Sequence, residues 1–316
     1  MPETIVTTPM SASSFVVRVS PTQPDTDLRA WCASNAERIE GLLAEHGVVL
    51  FRGFPVAPAD FGAVAAAAAP SSIEYLGGTS ARTRVEGNVY LSTTFPPKYN
   101  LAQHFEMAYL RRWPLKLLFY CETASPEGGE TPVASARALV QRLDRRILGL
   151  FTEKQVMYVR EMGPELTRKW QDTFETTDKS VVEAHCRAAA MDVEWLDGDR
   201  LRVRNVAQGT ARHPRSGELT WFNSAHFLHA ELREIPNNGQ SCFFGDGSPI
   251  DVGMLREVRA AFAEVTVSFP WEQGDVMLID NMRASHGRKP FAGPRKILAW
   301  LAEPYDSEAA RTPPPQ

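Results

Sequence analysis

Gln103-His104-Phe105-Glu106-Met107 sets an imidazole and a carboxylate two residues apart. On an extended chain, side chains at i and i+2 project to one face, so His104 and Glu106 can reach a single ion together. A neutral imidazole with a carboxylate suits a first-row metal of intermediate hardness. One further histidine from a distant strand completes a two-histidine, one-carboxylate face that leaves three coordination positions open. Such a triplet alone is unspecific in a chain with 7 histidines and 38 acidic residues.

The third ligand has to come from elsewhere. His286 follows an apolar strand and the turn Asp280-Asn281-Met282-Arg283-Ala284-Ser285, and stands directly before Gly287-Arg288. In isolation it reads as a loop histidine; ahead of a Gly-Arg step and a basic strand it reads as a ligand. Arg295 then begins the last strand. A guanidinium fork pairs with a carboxylate through two hydrogen bonds, and a buried arginine needs such a partner, which an acidic cosubstrate supplies. Strand alternation turns the adjacent Lys296 to the opposite face. Thr131, in Gly128-Gly129-Glu130-Thr131-Pro132, offers a hydroxyl to the same carboxylate and reads equally well as a turn residue.

Around these positions the chain is rich in short β-type runs. Val48-Val49-Leu50-Phe51 reads as a buried strand stopped by Gly53 and Pro55, and Leu115 to Cys121 as another, closed by Pro126, Gly128 and Gly129. Gly274-Asp275 opens a strand through Ile279, Lys296 to Leu301 forms the last, and Phe15-Val16-Val17-Arg18-Val19 reads as an edge strand. Leu28, Trp31, Ile39, Leu42 and Leu43 predict a helix from about Asp27 to near Gly47. Ser135 caps a second that carries Leu139, Leu143, Ile147, Leu148 and Leu150. Many short strands with a few outer helices predict an α+β chain with a mostly β core, sheet on sheet or barrel, rather than a parallel α/β sheet.

The 316 residues are 43% hydrophobic and 23% charged, enough for one large domain with a sizeable core. Lysine and arginine total 34 against 38 acidic residues, a net charge of −4, which argues against a nucleic-acid partner. Arg142, Arg145 and Arg146 read as a solvated helix face. Cys32, Cys121, Cys186 and Cys242 form no C-x-x-C pair and no disulfide framework. With no secretory signal and no apolar run long enough for a bilayer, a cytoplasmic setting without membrane association is expected.

Taken in order, His104-Phe105-Glu106-Met107, the Glu127-Gly128-Gly129-Glu130-Thr131-Pro132 turn, and Gly274-Asp275 leading to His286-Gly287-Arg288 and Arg295 resemble the taurine dioxygenase superfamily. More narrowly, they resemble its clavaminate synthase-like and syringomycin-pathway aspartyl-hydroxylase-like members, which use Glu where many relatives use Asp. The similarity runs from His46-Gly47-Val48-Val49-Leu50-Phe51-Arg52-Gly53-Phe54 to Glu303-Pro304.

The resemblance implies a single domain over residues 1–316: a double-stranded β-helix, or jelly roll, with flanking helices and an insert at about 150–245 covering the active site. It implies Fe(II) on His104, Glu106 and His286, 2-oxoglutarate on Arg295 and Thr131, and dioxygen as the second cosubstrate. Glu106 fills the position a halide would need, so halogenation is not expected. For the substrate, Asn223 and His226, after Trp221-Phe222, resemble a subgroup segment, and Arg82, Arg84 and Asn88 offer groups for a carboxylate. Packing or capping accounts for Asn223 and His226 equally well, and a solvated surface is the preferred reading of Arg82, Arg84 and Asn88. Gly245-Asp246-Gly247-Ser248-Pro249 reads mainly as a turn before a helix capped by Asp251.

The implied reaction is hydroxylation of an unactivated C–H bond of an amino acid, or of an aminoacyl group on a carrier protein, in secondary metabolism. Desaturation or cyclisation of a small-molecule biosynthetic intermediate by the same cofactor competes with it. A non-catalytic metal-binding protein fits less well, because Arg295 is retained together with all three ligands. The absence of H-E-x-x-H argues against a zinc hydrolase. A homo-oligomer stays open.

Overall fold

The computed structural model describes residues 4–10, 15–73, 83–234 and 238–307. An eight-stranded sheet carries, in spatial order, Ile5–Pro9, Val16–Pro21, Val48–Phe51, Val276–Asp280, Arg112–Thr123, Lys296–Asp306, Val89–Leu91 and Arg84–Glu86. Among the described residues only Val16–Pro21 and Val48–Phe51 pair in parallel. A second sheet of four antiparallel strands runs Thr266–Val267, Val133–Ser135, Ala284–Arg288, Leu101–His104. The chain passes between the sheets at the turn of residues 281–283, from Val276–Asp280 into Ala284–Arg288. This is a jelly-roll core, with sheets that do not close into a barrel.

The continuous apolar runs follow from burial on both faces of the large sheet. Val48, Leu50, Leu117, Phe119, Cys121, Met277, Ile279, Ile297 and Ala299 point into the core between the sheets. Their alternates Val49, Phe51, Leu118, Tyr120, Val276, Leu278 and Leu298 point the other way. There they meet Leu28, Trp31, Ile39, Leu43, Phe61 and Val64 from the helices Leu28–Ser34, Ala36–His46 and Phe61–Ala68. A strand covered on both sides loses the polar alternation of a half-exposed one.

Three expectations are corrected. Val16–Pro21 is not an edge strand, because Ile5–Pro9 pairs outside it. The helix expected from Asp27 to Gly47 breaks at Asn35, whose side chain donates to the Trp31 carbonyl at 2.8 Å. The helix capped by Ser135 stops at Arg142: Leu143 is extended, and the Asp144 carboxylate caps a second helix, Arg145–Lys154. The apolar period continues across both breaks and so conceals them. Arg142, Arg145 and Arg146 are exposed, on two helices rather than one.

Within the expected insert, Asp192–Leu196, Arg200–Ala207, Val156–Met162 and Gln240–Phe244 form an antiparallel sheet. With the helices Trp170–Phe174 and Lys179–Ala188 it encloses a small core of Met162, Trp170, Phe174, Val182, Cys186, Met191, Leu201 and Val203. The same sheet gives Val156, Tyr158, Ala207 and Phe244 to the main core, which ties the segment down. No helix among the described residues is long and apolar enough to cross a membrane.

Candidate metal centre and cosubstrate cleft

His104 is the last residue of its strand, and His286 lies directly opposite it on the neighbouring antiparallel strand. Their rings stand 4.3 Å apart. Glu106 is not on the strand; it sits in the turn that follows, where Met107 adopts a left-handed φ of 57°. That turn carries the carboxylate back, so that Glu106 Oε2 lies 3.7 Å from His286 Nε2. One ligand atom from each of His104, Glu106 and His286 fits within 4.8 Å of the others, and Glu106 and His286 are buried. A bulge between His286 and Arg288, with Gly287 packed against the Leu101 carbonyl, ends the regular pairing there. Bulges of this kind re-aim side chains beside active sites.

The donor set fits a divalent first-row metal. His104 Nδ1 lies 2.9 Å from the Ala102 carbonyl. A carbonyl only accepts, so Nδ1 carries the proton and Nε2 keeps its lone pair for an ion. Phe227 stacks on His104 at 5.5 Å and Phe119 tilts against His286 at 5.1 Å, which fixes both rings with apolar contacts.

The three clustered side chains open onto a cleft of about 650 Å³, mouth included, that also takes in Thr131, Arg288 and Arg295. Arg295 approaches over the Gly128-Gly129 turn and donates from Nε to the Gly129 carbonyl at 2.7 Å. Both glycines are required. At Gly129 (φ 77°) a Cβ would stand 2.9 Å from Arg295 Cδ, and at Gly128 2.2 Å from the Pro290 carbonyl oxygen. Thr131 Oγ accepts from Trp271 Nε1 at 3.1 Å and, more weakly, from Arg295 at 3.4 Å, which leaves its own proton free to donate.

Among the described residues no carboxylate lies within ion-pair distance of Arg295. Burial, together with the like charge of Arg288, pushes its guanidinium down to about 10, so it is still a cation at neutral pH. A half-buried cation with no carboxylate in ion-pair reach, beside a hydroxyl that can still donate, is a receptor for a carboxylate. Arg288 differs: its terminal nitrogens donate to the carbonyls of Phe95, Pro96 and Tyr99. Lys296 points away and pairs with Glu122.

The expected substrate residues do not gather here. Asn223 is fully buried, with its amide spent on the Gly209 carbonyl and the Ala225 N–H. His226 is buried behind the ligand strand and bonds the Gln103 carbonyl. Arg84 lies exposed over the Tyr90 ring, Asn88 donates to Ser72, and Arg82 falls outside the described residues. The Gly245–Pro249 loop is the expected turn, closed by Asp246 with Ser248, and Asp251 caps the helix Val252–Val265. The further polar residues that line the cleft are Ser92, Thr93, Tyr109 and Ser224, none marked by a sequence motif. Nor is there a local signal for Trp271, or for Asn281, which bonds the Glu106 peptide across a separation of 175 residues.

Comparisons with known proteins identify the family and its relatives. The model of the taurine catabolism dioxygenase TauD, TfdA family matches residues 15–301. Dapdiamide synthesis protein DdaC from Enterobacter agglomerans is 32% identical over 288 residues, 87% of this chain and 88% of that one. A clavaminate synthase-like protein from Arabidopsis thaliana is 34% identical over 277 residues, 84% of each chain. PvcB from Pseudomonas aeruginosa, an Fe, alpha-ketoglutarate dependent oxygenase from an isonitrile synthetic pathway, shares the fold. It is 17% identical with a TM-score of 0.57, covering 95% of this chain and 92% of its own.

Proposed function

The chain belongs to the taurine catabolism dioxygenase TauD, TfdA family and is an iron- and 2-oxoglutarate-dependent dioxygenase, and from that premise we propose which residues serve the reaction and what it acts on. His104, Glu106 and His286 hold the iron, and Arg295 with Thr131 anchors the distal carboxylate of 2-oxoglutarate. The substrate is an amino acid or a carrier-bound aminoacyl group, hydroxylated at an unactivated carbon in secondary metabolism.

The observation that carries this reading is the uncompensated Arg295 guanidinium opening onto the same cleft as the three clustered ligands. Bound iron, with 2-oxoglutarate and dioxygen, supplies the oxidising power to break a C–H bond while the oxo acid is converted to succinate and carbon dioxide. The protein's part is to position and to exclude. Arg295 and Thr131 fix one end of the oxo acid, and Phe119, Phe227 and Leu101 keep water from the ligand face. The hydroxyls of Ser92, Thr93, Tyr109 and Ser224 orient a polar substrate group beside it.

The occurrence of DdaC in dapdiamide synthesis supports a biosynthetic setting. The residues from about 150 to 245 act as an insert over the active site within one domain, since Ser224 and Phe227 reach the cleft from there. Substrate-dependent succinate release across a panel of free and carrier-bound amino acids tests the substrate class. A panel in which none raises succinate above the substrate-free level removes it, and a product two hydrogens lighter than the substrate selects desaturation or cyclisation instead.

A further inference from the structure

The imidazole of His226 is buried and stacks on Phe262, ring centroids 4.6 Å apart. Its Nε2 lies 2.7 Å from the backbone carbonyl oxygen of Gln103. Because that oxygen only accepts, Nε2 carries the proton and Nδ1 is a bare lone pair. Among the described residues Nδ1 meets no hydrogen-bond partner. Burial pushes the ring down to about 3, so it stays neutral and keeps this tautomer. A phenylalanine would fill the same space without desolvating two ring nitrogens. The polar ring is therefore held at a cost, and its one hydrogen bond falls on the residue before a metal ligand.

Gln103 is also held at its other end. Ser285, fully buried, donates from Oγ to Gln103 Oε1 at 2.7 Å. Gln103 precedes His104 and Ser285 precedes His286, and the two histidines face each other across the strand pair. Backbone pairing is sparse just there: the strands meet at His286–His104 and next, beyond a register shift, at Arg288–Leu101. With the ladder interrupted beside the ligands, side-chain bonds are left to fix the distance between them.

We propose that His226 and Ser285 brace the metal centre through Gln103, setting the separation and orientation of His104 and His286. They are positioning residues and touch no reacting atom. The inference rests on the reading of His104 and His286 as iron ligands. Partners that orient metal ligands typically contribute about 10- to 100-fold in metal affinity.

The test titrates the metal-stripped full chain with Co(II), following the visible d–d bands, alongside thermal melting of the metal-free protein. His226→Phe and Ser285→Ala are each expected to weaken Co(II) binding about tenfold or more and to shift the bands, while the metal-free protein stays folded. His226→Gln, whose amide N–H reaches the same carbonyl, should recover most of the affinity. Wild-type affinity and bands in both His226→Phe and Ser285→Ala overturn the brace. So does a weakened His226→Phe that Gln does not rescue, since packing alone then explains the loss. If His226→Phe does not fold, Ser285→Ala decides: unchanged binding overturns the proposal and weakened binding supports it. His104→Ala is the separate control; if it keeps the Co(II) site, the ligand reading itself has failed.

Discussion

Asn281 grips the peptide of Glu106 from both sides. Its Oδ1 accepts from the Glu106 N–H at 2.8 Å, and its Nδ2 donates to the Glu106 carbonyl at 2.9 Å and to the Pro114 carbonyl at 2.9 Å. The turn that returns Glu106 toward His286 includes Met107 in the left-handed region, which a residue with a side chain enters only when its surroundings hold it there. Asn281, fully buried, is part of that hold. Asn281→Leu leaves three buried backbone groups without partners, at about 1–3 kcal/mol each when nothing relaxes. The expected loss is about 3–5 kcal/mol of stability, and denaturant unfolding of the metal-free protein measures it. A loss within 1 kcal/mol of zero, with metal affinity intact, removes the clamp.

The proposed metal ligands make a second prediction. Replacing His104, Glu106 or His286 by Ala should abolish 2-oxoglutarate-dependent succinate formation and lower the bound iron well below one per chain. The far-ultraviolet circular dichroism should stay that of the parent. Iron retained at one per chain in His286→Ala breaks the triad.

How far these residues could be read beforehand differs from one to the next. The strands were legible because Val48–Phe51 and Val276–Asp280 are buried on both faces and so appear as unbroken apolar runs. The breaks at Asn35 and Leu143 were not, since the apolar period runs through them and the interruption is made by local side-chain caps. His104 and Glu106 drew attention by their i, i+2 spacing, yet their proximity depends on a turn rather than on strand alternation. Asn281 read as part of a turn after a strand. Nothing local ties it to Glu106, because the pairing is made by two sheets meeting in space. The hydroxyl-bearing residues that line the cleft were illegible for the same reason, while Asn223 and His226 are spent on the chain's own backbone.

The depressed His226 makes a prediction about acid. Its folded value is about 3 against an ordinary 6.5, because burial opposes the charge. Above 6.5 neither the folded nor the unfolded chain protonates it, and its contribution to stability is fully present. As pH falls from 6.5 toward 3 the unfolded chain takes up a proton that the folded chain refuses, so stability is lost at up to about 1.4 kcal/mol per pH unit. In metal-free protein, His226→Phe should therefore show a shallower fall in unfolding free energy between pH 6 and pH 4, by close to one proton. Equal slopes in parent and variant mean that His226 is not the buried neutral ring described.

The cosubstrate prediction turns on the contrast between Arg295 and Arg288. Both guanidiniums line the cleft, and burial lowers both. Arg288 is occupied by three backbone carbonyls, whereas Arg295 has one carbonyl and a long contact to Thr131. A 2-oxo acid bound through its C1 carboxylate and C2 ketone presents its C5 carboxylate to whatever cation lies deeper in the cleft. Removing one partner of a buried ion pair typically costs about 3–5 kcal/mol, since the other charge is left without compensation. At about 1.4 kcal/mol per tenfold, Arg295→Ala should raise the 2-oxoglutarate half-saturation point on the order of a hundredfold or more. Metal binding should survive, because Arg295 is not a ligand. Arg295→Lys should be tolerated only in part, as an ammonium cannot reproduce the fork. Thr131→Val should cost less, one hydroxyl against a full charge. The parent's half-saturation point should hold steady from pH 7 to 9, because burial lowers the Arg295 guanidinium only to about 10 and it stays a cation throughout. Arg288→Ala should act mainly on stability, by orphaning the carbonyls of Phe95, Pro96 and Tyr99, and the surface Lys296→Ala should change nothing. Titrating 2-oxoglutarate against succinate release in this set decides the anchor: an unmoved half-saturation point in Arg295→Ala, with a rise in Arg288→Ala or Lys296→Ala, assigns it elsewhere.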